Sequence, residues 1–454
     1  MTRYLVAGSG IAGAAMAKVL IAADDDVTVY DRTDSDDLAA LADMGAKVVV
    51  GEPDSTAVVS AVEGADDVVV SPGFPPHHSL VRVALGLDKP VYSEPELAWR
   101  LRPADAAPWL AVTGTNGKTT TVTMLASILA ANGLRTEALG NIGRSLVDAV
   151  TADYDVLAVE LSSQQLHWSS KLAPEYGALL NLAEDHLSWH GGFDAYAHAK
   201  TAVWRGGTCV GNLDDPEVST LLKAGDRCRI GFTLGVPGPG QFGVRDGMLV
   251  DHSGPEPVDL IAVEQVRPAG RHHVANALAA SALARSFGVT VDAVVEGLVG
   301  YEPQPHRNVL VTEVDGTSYV DDSKATNPHA AAAALEAYDS IVWVAGGQLK
   351  GVDVDPLIAR AAPRLRAAVV LGADRREFVD SLRRHAPGIP VVEVTRSDDE
   401  VMDEVVTTAA RLASFGDVVL LSPAAASYDM FSGYAERGRR FATAAESLAG
   451  LNRP

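Results

Sequence analysis

The run Ala111-Val-Thr-Gly-Thr-Asn-Gly-Lys-Thr-Thr-Thr121 constrains this chain more than any other stretch. An apolar segment that reads as a buried strand passes straight into a glycine turn, a lysine and a helix, the build of a nucleotide-phosphate cradle. Glycines let successive backbone N–H groups converge on a polyphosphate. Lys118 brings a point charge to the terminal phosphates, and Thr119 offers its hydroxyl to Mg²⁺. The helix that follows, expected to run to about Asn132-Gly133, aims the positive end of its dipole at the anion. The usual pattern has glycine five residues before the final Gly-Lys pair; Val112 stands there, so the loop is read as a shortened one.

At 454 residues with 47% hydrophobic content, the chain is long enough for two or three domains with substrates held between them. A formal charge of -22 argues against a nucleic-acid or anionic-membrane surface, because both require clustered Lys and Arg. Neither partner is expected, and the acidic balance serves solubility. The two cysteines, Cys209 and Cys228, suit a reducing compartment and give no metal-ligand spacing, so both are read as structural. Leu5 to Ala17 is apolar and rich in small residues, but Lys18 and the glycine spacing argue against a signal peptide. No run of 18 residues free of charge and turn signals reads as membrane-spanning, so a soluble cytoplasmic protein is expected.

The pattern along the chain predicts an α/β protein of three domains. Residues 1–106 open with a strand at Tyr4 to Ala7, then Gly8-Ser-Gly10-Ile-Ala-Gly13, a helix, and a second strand from Val27 closed by Asp31, a Rossmann-like start. A further strand, Asp67 to Val70, ends at Ser71-Pro72-Gly73. The linker 103–108 precedes a central domain, 107–305, P-loop ATPase-like, with strands at Asp155 to Val159 and Gly177 to Leu182. Its Gly/Pro-rich patch, Gly235 to Pro257, reads as a surface hairpin or small insertion. Glu302-Pro-Gln-Pro-His306 breaks both periodicities. Beyond it, Ser318 to Asp321, Ile341 to Ala345, Ala367 to Leu371 and Asp417 to Leu421 alternate with helical segments, predicting a C-terminal Rossmann-like domain, 306–454, with a mostly parallel sheet.

Polar residues at strand carboxyl ends are where open α/β sheets place ligands. Glu160 ends one such strand and Glu184-Asp185-His186 ends the next, so a carboxylate and an imidazole could hold a divalent cation beside the phosphates. Spacing alone also allows a surface acid and a helix-capping Asp-His pair. In the third domain, Asp321-Asp-Ser-Lys-Ala-Thr-Asn-Pro328 sets acids, a lysine and hydroxyls before a helix that Asn327 can cap and Pro328 can begin. Gly346-Gly-Gln-Leu-Lys-Gly351 and Ser422-Pro-Ala-Ala-Ala-Ser427 also follow strands, so three strand-end loops should gather on one edge. Lysines number nine against 28 arginines, and Lys118, Lys200, Lys324 and Lys350 lie in or near these motifs. In a chain whose routine cation is arginine, they read as chosen for a compact charge or a reactive amine.

With these motifs the chain resembles the Mur ligase family over essentially its full length. Gly114-Thr-Asn-Gly-Lys-Thr-Thr120, Gly140-Asn-Ile-Gly143, Glu160-Leu-Ser-Ser163, Glu184-Asp-His186, Ala275-Asn-Ala277 and His306-Arg307 stand in the family's order. Asp321 to Pro328, together with Leu421-Ser-Pro…Ala426-Ser and Phe431…Glu436-Arg-Gly438, resembles the members that add D-glutamate. The resemblance implies a cytoplasmic step of peptidoglycan synthesis, in which UDP-N-acetylmuramoyl-L-alanine, D-glutamate and ATP give the UDP-linked dipeptide, ADP and phosphate. A monomer is expected. The Rossmann-like opening would then hold a UDP diphosphate and not NAD.

Residue by residue, the resemblance puts Gly114, Thr115, Asn116, Gly117, Lys118, Thr119 and Thr120 around ATP, with Asn276, Arg307, Asp322 and Lys324. Thr326, Lys350, Ser427 and Tyr434 match positions around D-glutamate; Ile11, Ala12, Asp31, Ser71, Asn141 and Gln165 match positions around the UDP substrate. Two Mg²⁺ sites are implied, using Thr119, Glu160, His186 and Lys200, the last as a CO₂-derived carbamate. Read without the resemblance, Lys200 is a helical surface lysine. Catalysis is implied for Lys118, His186 and Lys200.

The chain departs from the family at His273, where asparagine is usual, at Thr33, where arginine often stands, and at Tyr434, where phenylalanine is usual. Ala425 replaces a frequent cysteine, which excludes a thiol there. The same chemistry on another acceptor stays open: addition of L-glutamate or a different amino acid, as in a folylpolyglutamate-type synthetase. A nicotinamide-dependent oxidoreductase accounts for the first domain only. A dead ligase is expected to have lost Lys118, Glu160 or His186, and all three are present.

Overall fold

Short runs of valine, leucine and alanine closed by glycine, serine or an acid form buried strands, and alanine- and valine-rich segments between them form the covering helices. The computed structural model describes residues 1–224, 228–303 and 305–451. Gln304, inside the expected second boundary, and residues 452–454 of the expected third domain lie outside the described residues.

Among the described residues three sheets form. The first contains β1 (Arg3–Ala7), β2 (Asp26–Asp31), β3 (Lys47–Val50), β4 (Asp67–Val70) and β5 (Val91–Ser93), ordered β3-β2-β1-β4-β5 and parallel throughout. Its strand order reverses between β1 and β4, the crevice where such sheets bind ligands.

The second sheet contains β6 (Trp109–Thr113), β7 (Ala138–Gly140), β8 (Leu157–Glu160), β9 (Tyr176–Leu179), β10 (Thr208–Asn212), β11 (Arg229–Phe232), β12 (Gln241–Arg245), β13 (Met248–His252) and β14 (Val258–Ala262). The order is β14-β13-β12-β11-β10-β9-β6-β8-β7. The Gly/Pro-rich patch is a hairpin built into the sheet, since β12 pairs in parallel with β11 and antiparallel with β13. Phosphate-loop strand β6 lies between β8 and β9, so Glu160 and Glu184-Asp185-His186 follow strands that flank it and do not touch each other. Strand β8 also starts at Leu157, later than the expected Asp155, because Asp155 is engaged by Arg135 at the surface.

The third sheet contains β15 (Val309–Val314), β16 (Thr317–Asp321), β17 (Ile341–Gly346), β18 (Leu365–Leu371), β19 (Val391–Glu393) and β20 (Val418–Leu421), ordered β15-β16-β20-β17-β18-β19. All pairs are parallel except β15 with β16. The twofold alternation of a strand shows in β17: Ile341, Trp343 and Ala345 enter one buried cluster, and Val342 and Val344 enter the cluster on the other face.

Backbone contacts divide the chain into two units. One is Met1–Gln265 with Ala275–Tyr301; the other is Val266–Val274 with the chain from Glu302 onward. Within the first unit, one continuous cluster joins the first two sheets, running from Val6, Leu20 and Leu97 to Trp109, Leu139 and Leu166. Helix Glu94–Leu101 fixes this joint with buried carboxylates. Glu94 accepts hydrogen bonds from Ser145 Oγ (2.7 Å) and Val147 N (2.8 Å); Glu96 accepts from Lys171 N (2.8 Å) and the Ser170 amide and pairs with Arg100 (2.7 Å).

Candidate active site

The phosphate loop is the four-residue link Gly114 to Gly117 between β6 and helix Lys118–Ala131. Gly117 takes φ 83°, and a Cβ there would come within 2.4 Å of Asn276 Oδ1, so both conformation and space require glycine. The segment after β9 holds the loop. Asn181 accepts from Asn116 N (2.8 Å) and donates to Asn116 O (3.1 Å), and Thr115 Oγ1 lies 2.8 Å from Tyr196 OH and accepts from Ala183 N (3.0 Å). The side chain of Thr115 therefore serves the loop's shape. Lys118 Nζ donates to Gly114 O (3.0 Å) and Thr115 O (2.9 Å). Thr120 is buried, while Thr119 at the helix start donates to Glu160 Oε2 (2.7 Å).

Glu160 is 2% exposed, and its other oxygen accepts from Asn141 Nδ2 (2.9 Å). Asn141 is thus placed against Glu160, beside the phosphate loop. Lys200, on helix Phe193–Thr201, is buried, not a surface lysine. Its Nζ donates to Gly114 O (2.8 Å) and weakly to Thr113 Oγ1 (3.4 Å). Burial holds its pKa well below the ordinary lysine value; Lys118 pushes the same way, and Asp185 and Glu160 oppose it. His186 takes a left-handed φ of 53° before helix Leu187–His190, with Nε2 3.6 Å from Asp185 Oδ2.

On the first sheet, Ile11, Ala12, Asp31 and Ser71 gather at the carboxyl ends of β1, β2 and β4. Helix Ile11–Ala22 has no side-chain cap, which leaves its first N–H groups for an anion. Asp31 accepts from Ser9 N (2.8 Å) and Ser9 Oγ (2.6 Å); burial alone would raise its pKa, and these bonds with the amides of Arg32 and Thr33 bring it below the usual value. Ser71 Oγ is buried without a hydrogen-bond partner, and Ile11 is 91% exposed, an arrangement suited to a ligand with polar and flat apolar parts. Gln165 instead uses its side-chain oxygen to cap helix Ser163–His167, accepting from Ser162 N (2.8 Å).

The second unit carries the other predicted residues. Strands β16, β20 and β17 are parallel neighbours, and their loops leave one edge joined by Ala424 N to Ala325 O (3.0 Å) and Gln348 N to Ala426 O (2.8 Å). Thr326, Lys350 and Ser427 stand on these loops. Asn327 caps helix Pro328–Glu336 through Ala330 N (2.8 Å), as expected. Asp322 accepts from Ser422 Oγ (2.7 Å); burial pushes its carboxyl up to about 7 against the opposing effects of Ser422 and Arg307. The Lys324 ammonium sits 3.7 Å from the centre of the Tyr434 ring. Lys350 and Ala424, each on one of these loops, hold left-handed backbone at φ 55° and 59°, a conformation unusual for lysine and alanine. His273, the residue in place of asparagine, is 4% exposed with neither ring nitrogen hydrogen-bonded.

Sequence reasoning did not assign a role to Asn181, Tyr196 or Arg437. Asn181 falls inside the expected strand Gly177 to Leu182, but β9 ends at Leu179, and this places Asn181 past the strand end, against the loop. Tyr196 and Arg437 act on residues far along the chain, which no local pattern announces.

Residues 112–284 match the family model of the Mur ligase middle domain, and residues 306–425 match that of the Mur ligase, glutamate ligase domain. The UDP-N-acetylmuramoylalanine--D-glutamate ligase of Streptomyces coelicolor is 50% identical over 98% of this chain and 97% of its own length. The protein of the same name from Thermobifida fusca is 48% identical over 99% of each chain, and that from Mycolicibacterium smegmatis 43% over 99% and 97%. Among solved structures, UDP-N-acetylmuramate-alanine ligase from Thermotoga maritima aligns with a TM-score of 0.61 over 98% of this chain and all of its own, at 20% identity. A pseudomurein peptide ligase type C from Methanothermus fervidus aligns with 0.59 over the whole of both chains at 18%. At these identities the likeness is one of fold.

Proposed function

The chain belongs to the Mur ligase family, and from that premise we infer that it is the ATP-dependent ligase that adds D-glutamate to UDP-N-acetylmuramoyl-L-alanine in peptidoglycan precursor synthesis. The observation that carries the substrate is the 50% identity, over nearly the whole of both chains, with a ligase named for D-glutamate. We assign residues 1–106 to the UDP substrate, 107–305 to ATP and 306–454 to the amino acid.

A carboxylate is a poor acyl donor. The substrate carboxylate attacks the γ-phosphorus of ATP, the bond to the β-phosphate oxygen breaks, and ADP leaves an acyl phosphate. The neutral amine of D-glutamate then attacks the acyl carbon, the C–N bond forms, phosphate departs with the C–O electrons, and the amine gives up a proton. Two anions must first meet: at about 4 Å and an effective dielectric of about 20, each pair of unit charges repels by roughly 4 kcal/mol. Lys118 and the N–H groups of the phosphate loop offset that repulsion.

The Thr119 hydroxyl and the Glu160 carboxylate, 2.7 Å apart, are hard oxygen donors that fit magnesium. No three His, Cys, Asp or Glu side chains gather among the described residues, and magnesium needs no such cage because it keeps waters and takes phosphate oxygens. Bound there, it would withdraw charge from the phosphate. A second magnesium is assigned to His186 and to Lys200 as a carbamate. Support for the carbamate comes from an amine whose burial favours the neutral form, since only the neutral amine adds CO₂, forming an N–C bond and losing a proton.

Asn276, Arg307, Asp322 and Lys324 are assigned to ATP. Thr326, Lys350, Ser427 and Tyr434 are assigned to D-glutamate, whose carboxylates suit a cation and hydroxyls. Ile11, Ala12, Asp31, Ser71, Asn141 and Gln165 are assigned to the UDP substrate. No described helix is long and apolar enough to cross a membrane, and we assign the enzyme to the cytoplasm, where ATP and nucleotide-activated sugars are found.

Phosphate release with Mg-ATP and UDP-N-acetylmuramoyl-L-alanine tests the assignment. It should depend on D-glutamate and not on L-glutamate. Equal release without any amino acid, or release driven by L-glutamate, would refute it.

A further inference from the structure

Glu436-Arg437-Gly438 follows the last strand, and none of the contacts assigned above uses its arginine. Arg437 is 1% exposed, although arginine is seldom buried without an ionic partner. Among the described residues no carboxylate forms an ion pair with it. Its guanidinium donates to neutral oxygens: Nε to Ser323 Oγ (2.9 Å), Nη2 to Ser323 O (2.9 Å), and Nη1 to Ala425 O (3.1 Å) and, more weakly, Gly346 O (3.4 Å). These acceptors lie at the ends of β16, β20 and β17, the three strands whose loops leave one edge of the sheet. Burial lowers its pKa to about 10 against the opposing fields of Asp429, Asp321 and Asp322, so it stays a cation at neutral pH.

Gly438 completes the arrangement. A Cβ there would come within 2.2 Å of His306 Nδ1 and 2.7 Å of Asp321 Oδ2, so glycine is what leaves room for the His306–Asp321 contact of 2.5 Å. Asp321 also accepts from Ser323 N (2.9 Å), and Ser323 Oγ donates to Tyr434 O (2.8 Å). One buried network therefore runs from His306, beside Arg307, through Asp321 and Ser323 to Arg437 and the other two loops.

We propose that Arg437 is a positioning residue of the amino-acid pocket, holding the loops after β16, β17 and β20 in one register so that Thr326, Lys350 and Ser427 meet the incoming amino acid. The proposal rests on the assignment of that pocket made above. Lysine is no substitute, because a compact ammonium cannot span acceptors that a planar fork of five N–H donors reaches together.

Arg437→Lys and Ser323→Ala test it, with KM measured separately for D-glutamate and for the UDP substrate. Arg437→Lys should raise KM for D-glutamate at least about tenfold and leave KM for the UDP substrate within about twofold, since misplacing a substrate-positioning group by a fraction of an ångström weakens that substrate alone. Ser323→Ala, which keeps the three backbone acceptors, should move KM for D-glutamate in the same direction by about threefold. If Arg437→Lys does not fold, Ser323→Ala decides. A D-glutamate KM at the wild-type value, whatever happens to kcat, or a parallel rise in both KM values, overturns the proposal. Wild-type turnover with a different amino acid would instead refute the substrate assignment, and the same KM comparison would then be made with that amino acid.

Discussion

Lys118 and Lys200 donate to the same carbonyl, that of Gly114, yet their surroundings give them different chemistry. Lys118 is only partly buried at the start of a helix, where we assign it to the phosphates of ATP. Lys200 is 2% exposed, and both burial and the Lys118 charge favour its neutral amine. Replacing Lys118 with alanine should lower turnover at least about 100-fold, roughly 2.7 kcal/mol of transition-state stabilisation. Near-normal turnover in a folded Lys118→Ala protein would remove it from the mechanism. For Lys200 the informative experiment is chemical: Lys200→Ala should lose activity and regain part of it with added formate or acetate. The wild type, but not the variant, should show a carbamate carbon signal after growth in ¹³C-bicarbonate. Absence of both effects would leave Lys200 a loop-holding cation only.

At the scale of elements, the joint between the first two sheets is made by two carboxylates that look in sequence like ordinary surface acids. In Ser93-Glu-Pro-Glu-Leu97, Glu94 and Glu96 begin a helix, where acids are commonplace, and only the fold shows both are buried and bonded to residues 145–147 and 170–171. Glu94→Ala would leave Val147 N and Ser145 Oγ without their acceptor, and should cost about 2 kcal/mol in urea unfolding. A change below about 0.5 kcal/mol, the range of surface substitutions, would show the joint is held by apolar packing alone. The same contrast governs what could be read beforehand. Strand ends marked by Thr113-Gly114, Glu160, Asp321 and Gly346 were legible because their signals are local: an apolar run, then a polar or glycine turn. That β6 separates β8 from β9, that Asn181 supports the phosphate loop, and that Arg437 links three strands all depend on pairings between distant segments, and local pattern carries no information about them.

Across the whole molecule, burial of titratable groups sets opposing pH dependences. In the first unit burial brings His190 down to about 4; in the second it brings His272 down to about 4 and His273 well below its ordinary value. A histidine kept neutral by the fold contributes stability that is complete above its unfolded value near 6.5 and is lost as pH falls through its folded value. Asp322 acts oppositely. Raised by burial from 3.8 to about 7, it contributes stability that is complete below 3.8 and lost as pH rises through 7. His78 and His167 are lowered as well, and Glu94 is raised like Asp322; five imidazoles outweigh two carboxyls below pH 6, so the ligand-free protein should lose stability on acidification, by at least about 5 °C in Tm between pH 7 and 5. Asp322→Asn removes one counterweight, because the folded state no longer takes up that proton, and its decline over the same range should be steeper than the wild type's. Calorimetry on both proteins at pH 7, 6 and 5 separates the contributions: a wild-type Tm that holds constant to pH 5 would count against neutral histidines. An unchanged decline in Asp322→Asn would mean that Asp322 stays ionised in the fold down to pH 5, and its buried contact with Ser422 would then be that of a carboxylate.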